Sequence, residues 1–288
     1  MFKIAHISDL HLSLDDSKGR GELLLNLLED IAEKECNHIA LTGDIAENPV
    51  PEDLAYAKEI FAHFSFVSPG KLSVVPGNHD IYGGAPPGIE SFRFPLICKN
   101  TDTKKTESQF LEIFSSAFES EPAFPFVKIL GKAALIGINS MISWSPEENP
   151  EGSNGGISKD KLNELEEILN SDGLKGKTKI VLIHHHFSSP EDVADYPAHA
   201  AWIEAISYKM KFHKPKKFLK ALRKGGVEMV LHGHTHHNSV YVREGITFVN
   251  SSACMIPISD DPARKYNIIS IPDEDDEGEN ISIRTVTV

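Results

Sequence analysis

Positive charge is what this chain of 288 residues is short of: 29 Lys and Arg stand against 42 Asp and Glu, a formal net charge of −13. Proteins that grip nucleic acid carry a basic footprint, so this balance argues against a nucleic-acid partner, although bound cations would restore positive charge locally. Cysteine is scarce as well. Cys36, Cys98 and Cys254 are odd in number and far apart, which excludes a disulfide framework and suits buried thiols in a reducing compartment. No apolar run approaches the ~18 residues of a membrane span, and no charged leader with an apolar stretch precedes Phe2. A cytoplasmic location is expected.

What is present is ordinary globular material, 40% hydrophobic and 25% charged, arranged as short apolar runs alternating with helical stripes. Phe2 to Ser8 reads as a buried strand. Leu23, Leu24, Leu27, Leu28, Ile31 and Ala32 then form a stripe that predicts a helix from about Arg20 to Glu35. His38 to Thr42 is a strand, Pro51 opens a helix, and Leu72 to Val75 is a third strand. Strand, helix, strand, helix, strand is the grammar of a layered α/β domain with parallel crossovers. Residues 83–105 read as a long loop, followed by a helix over about Glu107 to Phe118. Phe126–Leu130 and Ala133–Ile138 read as a hairpin, 139–156 as irregular, and Leu162, Leu165, Ile168 and Leu169 as one helix face. Lys179–Ile183 and Val227–Leu231 are strands, with a broadly helical stretch from Ala198 to Lys224 broken near Pro215. Four strands close the chain, and the acidic run Asp273–Glu279 reads as a solvated hairpin tip. No linker divides the sequence, so one domain spanning 1–288 is expected, with substrate-side loops near 83–105, 139–156 and 185–225.

The informative residues stand directly after the apolar runs. Asp9-Leu-His11, Gly43-Asp44, Gly77-Asn78-His79-Asp80, His184 and Gly233-His234-Thr-His236 all lie at predicted strand ends. In parallel α/β sheets that edge is where ligands bind. A period of two lets Asp9 and His11, or His234 and His236, serve one ion. Asp44 can bridge two cations with its two oxygens, and Asn78 offers a neutral carbonyl oxygen. Imidazole mixed with carboxylate, and no cysteine nearby, suits Mn, Fe or Zn over Ca or a soft metal. The set is larger than one ion can use. Two such ions ~3.5–4 Å apart clamp the attacking and leaving oxygens of a phosphoryl displacement. Any one of these short motifs occurs by chance in a turn; five in this order at strand ends have little structural explanation.

The ordered set resembles the calcineurin-like metallophosphoesterases (metallo-dependent phosphatases), and the resemblance runs from Asp9 to the Asn250-Ser-Ser segment. It implies a four-layer α/β/β/α sandwich: two mixed sheets flanked by helices, with the site at the sheet edge. It also implies roles. Asp9, His11 and His236 resemble the ligands of one metal, and Asn78, His184 and His234 those of the other, with Asp44 shared. His79 matches the histidine that assists at the leaving group and binds no metal. Asp80 matches an acid that orients it. His184 opens a run of three histidines and takes the ligand position because it ends the strand; His185 and His186 are expected at the pocket wall.

The implied activity is hydrolysis of a phosphoester by in-line attack of a hydroxide held between two divalent or trivalent ions of Mn, Fe or Zn. A small phosphodiester, such as a cyclic nucleotide or a glycerophosphodiester, is the expected substrate on the resemblance to the phosphodiesterase branch. The alternatives are a phosphomonoesterase, including a protein phosphatase, a DNA nuclease, and a non-catalytic scaffold, which should show eroded ligands. Residues 209–224 reverse the chain's sign, with eight Lys and Arg and no acid. A solvated helix face is the plain reading; peripheral contact with a phospholipid surface, helped by Phe212, Phe218, Leu219 and Leu222, is the sharper one. Trp144, Tyr196 and Trp202 sit in irregular segments where a base or sugar could stack. Gly173-Leu-Lys-Gly176-Lys-Thr178 has the wrong glycine spacing for a phosphate loop and reads as a turn. His6, His38 and His63 read as core or edge residues.

Overall fold

Alternation within the apolar runs decides the layering. The structure is a computed structural model that describes residues 1–15, 19–206, 209–255, 264–273 and 280–288. In chain order its main elements are β1 (Phe2–Ile7), α1 (Arg20–Glu33), β2 (His38–Thr42), α2 (Pro51–His63), β3 (Leu72–Val75) and the single turn α3 (Asn78–Ile81). Then come α4 (Phe94–Asn100), α5 (Thr103–Ile113), β4 (Phe126–Leu130), β5 (Ala133–Gly137), α6 (Lys159–Leu169) and β6 (Thr178–Leu182). The last are α7 (Pro197–Ala205), α8 (Pro215–Lys224), β7 (Val227–His232), β8 (Ser239–Arg243), β9 (Ile246–Asn250), β10 (Lys265–Ile271) and β11 (Ser282–Thr287).

One sheet runs β11-β10-β1-β2-β3 and the other β4-β5-β6-β7-β9-β8. Strands β1, β2 and β3 pair in parallel, as do β5, β6, β7 and β9, while β10, β11, β4 and β8 pair antiparallel at the flanks. In the second sheet Leu135, Ile180, Leu182, Leu231 and Val249 point into the core shared with the first sheet. Their alternates Ala134, Ile136, Val181, Val230 and Phe248 point the other way, against Leu165 and Leu169 of α6 and Phe218 and Leu222 of α8. The first sheet is covered by α1, through Leu24, Leu27, Leu28 and Ile31, and by α2, through Leu54, Ala57 and Phe61. Strands buried on both faces read as unbroken apolar runs, which is how β2 and β5 are visible in sequence. The architecture is the expected α/β/β/α sandwich.

The expected loop at 83–105 is different. It contains a 3₁₀ turn (Gly88–Arg93) and α4, and α5 begins four residues before the expected start and ends at Ile113. Pro95, which reads as a breaker, sits in the first turn of α4, where no N–H is needed. Asp102 caps α5 by accepting the Lys105 N–H at 3.1 Å. Residues 274–279 of the acidic run, expected as a hairpin tip, lie outside the described residues. No helix among the described residues is long and apolar enough to cross a membrane.

Residues 209–224 follow the plain reading. Phe218, Leu219 and Leu222 face the core beneath α8, and Phe212 is buried beside them. An apolar face already packed on the core cannot enter a lipid surface, so only the charged face of α8 is available outside.

Candidate metal centre

Five parallel strands bring the ligand-bearing segments to one edge. Asp9 and His11 follow β1, Asp44 follows β2, and Asn78 and His79 open α3 after β3. From the second sheet, His184 follows β6 and His234 and His236 follow β7. The segments are tied together by backbone bonds: Asp9 N–H to Gly43 O at 3.0 Å, His11 N–H to Asp44 O at 2.9 Å and Gly233 N–H to His184 O at 3.1 Å. The His184 side chain is one of those that join the sheets. His184 Nδ1–H donates to the Thr42 carbonyl at 2.8 Å, which leaves Nε2 bare toward the centre.

The two-residue spacing works, but not through the pleat of a strand. Asp9, His11, Asp44, His234 and His236 all adopt left-handed backbone conformations, with φ of 55°, 49°, 51°, 76° and 61°. Such dihedrals are uncommon outside glycine and mark sites where the surroundings hold the chain. Each one turns the backbone sharply past the strand end and aims its side chain inward. Two glycines make room. A Cβ at Gly77 would collide with the Asp44 carboxylate, and one at Gly233 with the Asp9 carboxylate and the Ser8 hydroxyl.

Three donor groups result, one of them His11, Glu47 and His79; the other two share Asp44. Asp9, His11, Asp44 and His236 form the first of these two, and Asp44, His184 and His234 the second. In the first, His11 Nε2 lies 3.2 Å from His236 Nε2, and His236 Nε2 lies 3.4 Å from Asp9 Oδ1. In the second, His184 Nε2 lies 3.0 Å from His234 Nδ1, 3.1 Å from Asn78 Oδ1 and 3.3 Å from Asp44 Oδ2. Facing imidazole nitrogens without a proton between them repel, and a cation resolves that repulsion. The spacings fit as well, because donors ~2.1 Å from a common ion stand about 3.0–3.4 Å apart. Burial holds His11 and His234 well below the ordinary imidazole range, in the neutral form that binds metal. Burial also opposes a charge on His184, yet Asp44 and Asp9 together push it up to about 9. His236 is raised by its hydrogen bond and charge interaction with Asp9, again against burial.

A family model described as calcineurin-like phosphoesterase matches residues 2–238. The chain belongs to that family. Membership makes it a metal-dependent phosphoester hydrolase with a dimetal centre. Among solved structures, a dimetal phosphatase from Danio rerio is 12% identical, with a TM-score of 0.64 over 99% of this chain and 98% of the other. The purple acid phosphatase PPD1 from yellow lupin is also 12% identical, with a TM-score of 0.57 over 99% of this chain and 51% of that one. These likenesses concern the fold. A search of curated proteins found no significant match.

His79, expected to assist at the leaving group, is held differently from the sequence expectation. Its ring does not rest on Asp80. His79 Nδ1–H donates to the Glu47 carbonyl at 2.9 Å, and the Glu47 carboxylate lies 4.0 Å away. Asp80 points the other way, accepting the N–H groups of Ile45 at 2.9 Å, Ala46 at 3.0 Å and Gly77 at 2.8 Å. It fastens the loop after β2 to the loop after β3, so it positions Asp44 rather than His79. Burial and the nearby Asp44 push its carboxyl up to about 7. Glu47 itself is paired with Arg20 at 2.6 Å, and Arg20 also donates to the His11 carbonyl. Neither Glu47 nor Arg20 stands out in the sequence. Glu47 lies three residues past Asp44 in the same loop, and that proximity is the one available signal.

A cavity of about 800 Å³ adjoins the centre. All three irregular segments wall it: Ala85 and Phe94 from the first, Glu151 and Ser153 from the second, Trp202 and Met210 from the third. His185 and His186 do not line it. The chain turns at His184 so that His185 packs behind the centre, against Gly155, with Nδ1 2.8 Å from Ser140 Oγ. His186 is buried too, 3.0 Å from Ser188 Oγ. Trp144 is held off the cavity by its bond to the Pro150 carbonyl at 3.0 Å, whereas Trp202 faces in.

Proposed function

We propose that this phosphoesterase cleaves phosphodiesters of the kind found in cyclic nucleotides or glycerophosphodiesters. The observation that carries a two-ion reaction is the meeting of the two donor clusters at Asp44. Asp9, His11 and His236 would hold one ion and Asn78, His184 and His234 the other, with Mn, Fe or Zn suited to this mixture of imidazole and oxygen donors. When bound, the pair of cations supplies an activated water and neutralises charge on the phosphoryl oxygens. The protein does the rest. His79, with Nδ1–H committed to the Glu47 carbonyl, presents Nε2 to the cavity and hands a proton to the departing alkoxide there. Preference for a diester rests on charge. Lys209 is the one Lys or Arg among the described residues lining the cavity, and it is paired with Glu151 at 2.7 Å. A diester monoanion therefore suits this wall better than a monoester dianion. Three buried free cysteines fit a reducing compartment such as the cytoplasm.

Purified protein with Mn²⁺ should hydrolyse bis-p-nitrophenyl phosphate with kcat/KM at least ~10-fold above that for p-nitrophenyl phosphate, and chelation should abolish both. The reverse order of esters would overturn the diester assignment. His79→Ala should keep its metals but lose about 10²–10⁴-fold in kcat on alkyl leaving groups, which need the proton. On p-nitrophenolate, a leaving group that needs none, the loss should be much smaller. Equal losses on both would remove His79 from the role of acid.

A further inference from the structure

The wall of the cavity carries a preference that the metal ligands do not. On α7, Ala198, Ala201, Trp202 and Ala205 all line it, at spacings of three, one and three residues, which is one face of a helix. Phe94 and Met210 add further apolar wall. Three alanines give this face its depth, since each contributes only a methyl group. Trp202, although on the wall, is 42% exposed and stacks on no other ring among the described residues. A volume of about 800 Å³ is far more than a phosphate group fills, so the organic part of the substrate occupies most of it. Lys209 is paired with Glu151 at this wall, so among the described lining residues no Lys or Arg is left over for a second phosphate.

The segment that lends Phe94 to the cavity also turns an apolar face outward. Ile89, Phe92, Leu96 and Ile97 are 80%, 84%, 58% and 47% exposed, whereas Phe94 and Cys98 pack inward on Ile81 and Tyr82. Scattered apolar residues on a surface need no explanation, but four within nine residues beside an apolar cavity form a patch. We propose that the substrate is an amphiphile: a phosphoester with a single phosphate and a lipid-like apolar chain, held along α7 and continuing over the outer face of the Gly88–Asn100 segment. This inference rests on the phosphoesterase reading above and narrows its diester class.

A chromogenic series tests it, in which p-nitrophenyl phosphodiesters share one leaving group and differ only in the second alcohol: methyl, hexyl or dodecyl. With Mn²⁺-loaded full-length protein, kcat/KM should rise ~10–100-fold from methyl to dodecyl, the discrimination expected of an apolar pocket. Ala201→Leu should cost the dodecyl and hexyl esters at least ~10-fold more in kcat/KM than it costs the methyl ester, reversing the chain-length preference. Phe92→Asp should lower kcat/KM for the dodecyl ester by a larger factor than for the hexyl or methyl ester. Metal content by elemental analysis and the urea midpoint serve as the controls for metal loading and folding in each variant. Equal kcat/KM across the wild-type series overturns the proposal but not the phosphoesterase reading, as does an equal loss on every ester in Ala201→Leu. Absence of turnover with every ester and with each of Mn, Fe, Co, Ni and Zn overturns the reading itself, and the proposal with it.

Discussion

Asp44→Asn is expected to empty both halves of the metal centre and to lower turnover by at least ~10³-fold, the largest loss of any single conservative change in this site. The reason is how much one carboxylate does. Its Oδ2 lies 3.3 Å from His184 Nε2 and 3.9 Å from His11 Nε2, so it faces both clusters, while Oδ1 accepts the His79 N–H at 2.8 Å. An amide has one oxygen. It can keep the His79 bond or serve an ion, and its NH₂ group then faces the remaining donors with the wrong polarity. The substitution is isosteric, so the loop that Asp80 fastens should persist. Asn78→Ala is the contrast: its oxygen belongs to one cluster, so one ion should stay. Metal content by elemental analysis, read beside kcat, separates the two variants. Two tightly held ions in Asp44→Asn would show that Asp44 is not shared.

Some of these positions are visible in the sequence and others are not, and the difference lies in the range of the interactions involved. Asp9, Asp44 and His184 each come after an apolar run of four to six residues, and such runs are strands because both faces of them are buried. A strand end is a local property, and so is the glycine that lets the chain turn there. Convergence is not local. It depends on β1, β2 and β3 lying side by side and on the second sheet facing them, which the His184 to Thr42 bond spans over 142 positions of sequence. The same distance hides the link from Glu47 to His79 and misdirects the reading of Asp80. Adjacency in sequence suggests that Asp80 holds the ring of its neighbour. In the single turn of α3, however, consecutive side chains diverge by about 100°, so His79 faces the cavity and Asp80 the loop behind it. The left-handed turns at five ligand positions leave no composition signal, because Asp and His tolerate that region without the glycine that would announce it. Residues 83–105 mislead for the opposite reason. Gly88, Pro86, Pro87 and Pro95 are strong local signals of a loop, yet Pro95 is harmless in a first helical turn.

The histidines that hold no metal set the second large effect, a steep loss of stability in mild acid. His6 is buried on β1 beside Thr42 Oγ1 at 2.9 Å, and His38 is buried between Gly70 O and Ser73 Oγ, each at 2.9 Å. His186 is buried beside Ser188, and His199 is stacked on His237 at 4.6 Å. Burial lowers the pKa of His6, His38 and His199 to about 3 and of His186 to about 4. An unfolded chain protonates the same rings near 6.5. Between these limits the unfolded state binds more protons, so the stability present above pH 6.5 is lost as pH falls toward 3–4. Asp80 works against this: with its carboxyl at about 7, it takes its proton in the folded state first. His184, at about 9, acts at higher pH, where its contribution is complete below 6.5 and is lost as pH rises through 9. The four low-pKa histidines are joined by His185 and His232 and, once the metals are chelated, by His11 and His234, all held well below the ordinary imidazole range by burial. They outnumber Asp80 between about pH 6 and pH 4, each contributing ~1.4 kcal/mol per pH unit. A domain stable by about 5–15 kcal/mol should then unfold within about three units below neutrality. Urea titrations of chelated protein at pH 7.5, 6.0 and 5.0 would measure it, and His38→Gln should flatten the slope by ~1.4 kcal/mol per pH unit, because glutamine fills the same bonds without titrating. A midpoint that does not move between pH 7.5 and 5.0 would mean that these rings exchange protons as freely folded as unfolded, which their burial in the two cores does not allow.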